Sequence, residues 1–132
     1  MSNASVSDAT TDFEDWLRSM VEEHGEFTVL VILAEIGSRA VVPLASTYLH
    51  VVGDEVDWED IKAMFASSGK RWDGAAFFPT KGRDGGLIDK ETARRRLAEL
   101  EAKIKADRMT FNDGHFFDLA GRRLEIEPIP DA

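Results

Sequence analysis

An α+β fold is what this chain predicts: about three helices packed on a mostly antiparallel sheet of four to six strands, with a C-terminal β-meander. Three observations point there. Three segments repeat apolar residues at helical spacing behind a capping side chain. One run, Phe27 to Ile36, is apolar on both alternating faces, as in a central strand covered on both sides. The last part of the chain carries short apolar runs separated by Asp113-Gly114 and Ala120-Gly121, which are turn signals.

In chain order, residues 1–10 are small and polar and are expected to form a disordered tail. Ser2 to Ala4 read as a cloning remnant and are set aside. A single α+β domain is expected over residues 11–132, a length that suits one core. Thr11 with Glu14 three residues on predicts a capping box, and Phe13, Trp16, Leu17, Met20 and Val21 give the helix its buried stripe. Gly25 is placed to end it. Residues 39–52 fit two readings. Val41, Leu44, Ala45, Tyr48, Leu49 and Val52 lie at helical spacing, but a strand from about Arg39, turning at Gly37-Ser38, puts Pro43 on an edge. The strand is the preferred reading.

A second helix is expected from Asp57, which caps Asp60, with Val56 stapled on Ile61 and a stripe of Ile61, Met64 and Phe65. Gly74 to Phe78 read as a short strand stopped by Pro79. The clearest helix follows Asp89: Ala93, Leu97, Leu100 and Ile104 form its stripe. Glu91–Arg95, Glu99–Lys103 and Glu101–Lys105 stand four apart as supporting pairs. Beyond it, Met109–Phe111, His115–Leu119 and Arg122–Ile129 predict the strands of the meander, ended by Pro128 and Pro130.

Composition narrows the function classes. The chain has no cysteine, which excludes disulfides, thiolate metal sites and a thiol nucleophile and fits a reducing cytoplasm. It opens with no signal-peptide pattern. Phe27 to Val52 is long enough for a membrane span, but Glu35, Arg39 and Pro43 interrupt it, so two buried elements are expected and no membrane. The net charge is −9. It is uneven: residues 1–69 carry 3 basic and 13 acidic side chains, residues 70–108 carry 11 and 7, and residues 109–132 carry 2 and 5. An acidic chain of this kind is not expected to bind nucleic acid generally, because neutralising phosphates needs a positive surface.

Four groups of residues carry chemistry worth placing. The loop before the last helix holds Lys81, Arg83, Gly85 and Gly86, with Lys90 just inside the helix. Glycine amides and a helix N-terminus can hold an anion. The loop matches neither the P-loop nor G-x-G-x-x-G, and Asp84 and Asp89 put negative charge where a phosphate would sit. Arg94, Arg95 and Arg96 fan out by about 100° each, so they read as a salt-bridged face, with Arg94 open to an acidic partner. Asp113, His115 and Asp118 flank a turn, but His115 and Asp118 point to opposite faces of a regular strand, and no metal site is predicted. Trp72, Phe77, Phe78, Phe116 and Phe117 read first as core, since aromatics supply much of a small domain's burial; Trp72, Phe78 and Phe116 would mark a partner surface if helices covered only one face of the sheet.

No nucleophile elbow and no cofactor fingerprint is present. The expected function is therefore that of a small acidic cytoplasmic protein that binds another protein or itself, without cofactor or evident catalysis. Two alternatives stay open. One is a binding domain or enzyme for a phosphorylated small molecule, using the Lys81–Gly86 loop with His115 as acid–base group. The other is an acidic mimic that blocks a basic partner through the clusters at Asp12–Glu26 and Asp54–Asp60.

Overall fold

A computed structural model describes residues 11–37, 40–53, 57–69 and 71–126. The expected tail, the turn at Ser38, the strand start at Arg39, the staple on Val56, the acidic cluster's Asp54 and Glu55, and the closing Pro128 and Pro130 lie outside the described residues.

The elements are α1 (Asp12–His24), β1 (Phe27–Ile36), β2 (Val41–Val51), α2 (Trp58–Ala66), β3 (Gly74–Thr80), α3 (Lys90–Ala106), a 3-10 helix (Arg108–Asp113), β4 (His115–Asp118) and β5 (Arg123–Leu124). The strands form one sheet in the order β2-β1-β3-β4-β5. Every neighbouring pair is antiparallel. The α+β class, the three α-helices and the five strands agree with the sequence reading.

The helix starts form where the caps stand. Thr11 and Glu14 close a reciprocal capping box. Asp57 accepts from Asp60 N–H at 2.8 Å, and Asp89 from Thr92 N–H at 2.7 Å. Each bond satisfies an N–H that a helix start leaves without an internal partner. The carboxyl of Asp89 is held below its ordinary value by its hydrogen bonds from Thr92, with help from Arg95.

Helices cover both faces of the sheet. Along β1, Phe27, Val29, Val31 and Leu33 pack under α1 and α2, while Leu30, Ile32 and Ala34 pack under α3 and the 3-10 helix. β1 therefore carries no wet face, and its one buried polar side chain, Thr28, is satisfied from both sides. Thr28 Oγ1 accepts from Ile88 N–H at 3.1 Å and meets His50 Nδ1 at 2.9 Å.

Several expectations are corrected. Pro79 does not stop β3, which runs on to Thr80 with Pro79 opposite Val29. Met109–Phe111 is 3-10 helix, not strand, so the C-terminal strand run starts at His115. Asp107 accepts from Met109 N–H at 3.0 Å and winds the chain. The supporting pairs on α3 are not closed as ion pairs among the described residues. Glu101 instead accepts from Ser46 Oγ of β2 at 2.5 Å. No helix of the described residues is long and apolar enough to cross a membrane.

Candidate functional site

The aromatics considered for a partner surface are largely buried. Trp72 is 7% exposed and Phe116 2%, and they sit in the two core clusters on opposite faces. The reason is the second helical layer: α3 and the 3-10 helix cover the face that would have left Phe116 open, and Phe78 is half-buried against the same cluster. Of the four expected interface residues, only Arg94 is exposed.

The glycine loop is closed on itself. Gly82 N–H donates to Gly86 O at 2.8 Å, Gly85 N–H to Gly82 O at 2.9 Å, and Gly86 N–H to Asp84 Oδ1 at 3.0 Å. Gly85 turns the chain with φ +84°. The amides of Gly82, Gly85 and Gly86 are thus already used. Lys81 reaches across to the carbonyl of His24 at 2.5 Å, and Arg96 is held by Thr80 Oγ1 and the carbonyl of Lys81. Arg83 and Lys90 stay exposed. The groove beside the loop, about 390 Å³, is lined by Asp84 and Asp89 as well as by Arg83, Arg95 and Arg96. It carries no concentrated positive charge.

His115 is not part of that loop. Its ring packs on Trp16 at 4.8 Å, and its Nδ1 lies 3.1 Å from Arg123 NH1. Arg123 in turn sits over the Phe117 ring at 5.0 Å. Asp118 is occupied in the β4–β5 turn, accepting from Ala120 N–H and from Arg122. Among the described residues no group of His and carboxylates is placed to hold a metal. Burial pushes the His115 imidazole below the ordinary value of 6.5, and Arg123 adds to that. The sign follows from linkage: unfolded His115 binds a proton that the folded form resists, so its contribution is fully present above pH 6.5 and is lost as pH falls through the lower folded value. Urea midpoints of the protein and of His115→Gln are expected to converge as pH is lowered from 8 to 5. Parallel curves would contradict this.

The outer edge of the sheet is the feature the structure adds. β2 is an edge strand of 11 residues, and from Val41 to Leu49 it has no charged side chain. Its backbone directions follow from two bonds. Asp73 N–H donates to Ala34 O, so even-numbered β1 residues turn their backbone groups toward β3. Odd-numbered ones turn toward β2, as Gly37 N–H does in reaching Ala40 O at 2.7 Å. Leu33 pairs with Ala45, Val31 with Thr47 and Val29 with Leu49. Ala45, Thr47 and Leu49 therefore face β1, and Ser46, Tyr48 and His50 turn their N–H and C=O groups outward. No described residue bonds to those outward groups.

Proteins commonly guard such an edge with charge, proline or a bulge. Here Pro43 and the bulge beside it, where Leu44 is the extra residue, guard only the first end. In the sequence the signal was an extended segment with no charge over nine positions beside one proline. Tried against family models, curated proteins and solved structures, the chain matches none.

Proposed function

We propose that this protein is a protein-binding module whose contact element is the outer edge of β2, which takes an added strand from its partner. Strand addition of this kind draws affinity from main-chain hydrogen bonds and selectivity from alternate side chains. The observation that carries the reading is the uncharged edge strand with outward backbone at Ser46, Tyr48 and His50. The protein is read as cytoplasmic, in line with its lack of cysteine.

The two other readings draw less support. The loop amides are taken up internally, which weakens the case for an anion site. The acids of α1 are partly engaged in holding the fold: Glu14 accepts from Trp58 N–H at 2.7 Å, and Asp12 from Arg123 N–H at 2.9 Å. That weakens the case for a mimic surface.

Amide hydrogen exchange in dilute protein is the test. Ala45, Thr47 and Leu49 are expected to be protected, and Ser46, Tyr48 and His50 to exchange at least about tenfold faster, because their N–H groups face water. Equal protection along β2 would mean that the edge is already covered.

A further inference from the structure

We infer that the strand taken up by β2 is an extended segment of another protein that carries a lysine or arginine opposite Ser46, where it pairs with Glu101 of α3. The inference rests on reading the β2 edge as the contact element. It goes further by naming what the partner must carry.

Two bonds lay α3 along the edge strand. Ile88 N–H, just before the helix, donates to Thr28 Oγ1 at 3.1 Å, and Thr28 pairs with His50 of β2. Further along, Ser46 Oγ donates to Glu101 Oε2 at 2.5 Å. The helix therefore runs antiparallel to β2, with its start near His50 and Glu101 at Ser46. Leu97, Leu100 and Ile104 pack in one cluster with Leu30 and Ile32 of β1. Glu101 stands on the flank of that stripe nearer the edge.

Glu101 is the charge that an added strand would meet. Ser46, Tyr48 and His50 share the α3 face of β2, and theirs are the backbone groups that turn outward. In an antiparallel addition each exchanges both backbone bonds with the residue opposite, whose side chain stands on the same face. The side chain opposite Ser46 is thus set beside Glu101. The Glu101 carboxylate is half-buried and, among the described residues, has no partner but Ser46. A strand laid against Ser46 takes water away from it. A carboxylate desolvated without a counter-charge is costly, so a neutral residue there is disfavoured and an acidic one more so. A base is what the position selects. Arg94 and Lys105 share the flank, seven residues before Glu101 and four after it, but both are exposed and stay screened by water.

The rest of the window is apolar. An aromatic ring opposite Tyr48 makes a favourable cross-strand pair, and β-branched residues suit the places opposite Thr47 and Leu49. β2 itself cannot supply the base, since residues 41–49 carry no charged side chain. At longer range the net charge of −9 draws a basic segment toward the chain and repels an acidic one.

The experiment is an amide NMR titration of the full chain with the blocked peptide Ser-Thr-Val-Tyr-Val-Lys-Ser and with its counterparts carrying Gln or Glu in place of Lys. Shifts are expected at Ser46, Tyr48 and His50. The Lys peptide is expected to bind at least about tenfold more tightly than the Glu peptide, with the Gln peptide between them. Glu101→Gln, which keeps size and an acceptor for Ser46, should level the three affinities with the fold intact. Glu101→Lys should invert their order. Edge shifts with equal affinities, or a preference for Lys that survives Glu101→Gln, overturn the inference and leave the edge reading standing. So does a Lys peptide that shifts none of these amides while they exchange freely in dilute protein. Amides that neither shift nor exchange freely overturn both.

Discussion

Phe77→Ala is expected to cost about 3–5 kcal/mol, the range for deleting a buried aromatic ring. Phe77 is 1% exposed and sits where every element of the α1–α2 face meets. Its ring lies 4.9 Å from Phe13, 5.9 Å from Trp16 and from Phe117, 6.2 Å from Phe65 and 6.3 Å from Trp58. Those neighbours are large, rigid rings anchored on different elements. They cannot collapse together into the space left behind, so the cavity persists and its cost is added to the lost transfer energy. A domain of this size has about 5–15 kcal/mol in all. The variant should therefore sit near or below the limit of folding at 37 °C. Phe78→Ala removes the neighbouring, half-buried ring on the other face and should cost distinctly less. Urea denaturation of both variants measures the difference. Equal losses would contradict the burial assigned to the two faces.

Gly121→Ala is expected to cost about 2–5 kcal/mol, from two sources that act together. Gly121 has φ +78°, a conformation that costs an L residue about 1–2 kcal/mol. An added Cβ would also stand 2.7 Å from Thr11 Cβ and 3.1 Å from Trp58 Cδ1, and overpacking adds about 1–3 kcal/mol. Neither neighbour can give way cheaply. Thr11 caps α1, and the Trp58 indole N–H donates to Leu119 O at 2.8 Å. The β4–β5 turn thereby clamps the starts of α1 and α2, since Phe13 N–H also donates to Gly121 O at 3.0 Å. Gly85→Ala separates the two sources. It has φ +84° with nothing within 4 Å of the added atom, so it should lose only the conformational part. A Gly121→Ala loss no larger than that of Gly85→Ala would remove the clamp from the account.

Much of this architecture was legible because local chemistry and tertiary structure agree. Thr11–Glu14, Asp57 and Asp89 mark helix starts by satisfying backbone donors that nothing else nearby could satisfy. The two-sided apolar run of β1 announced helices on both faces. That same pattern argued against an open aromatic face, but Phe77-Phe78 and Phe116-Phe117 do not reveal how far a covering helix reaches. The 3-10 helix escaped notice because Met109, Thr110 and Phe111 have the residue types of a strand. What decides there is tertiary: Phe111 is fully buried, and the Asn112 side chain bonds both backbone groups of Ile126, at 2.6 and 2.8 Å, in place of a neighbouring strand.

The candidate site was half legible. Pro43 pointed to an edge in the sequence. Which backbone groups that edge leaves open could be found only from the register of β1 with both its neighbours. The loop draws less support for a related reason. Its glycines signal freedom to turn, and the turn they make takes up the amides of Gly82, Gly85 and Gly86.

The most direct test of the central claim is amide exchange along β2 in dilute protein. Fast exchange is expected at Ser46 and Tyr48, while Ala45, Thr47 and Leu49 stay protected. If Ser46 and Tyr48 are as protected as their neighbours, the edge of β2 is closed within the single chain and is not where this protein meets a partner.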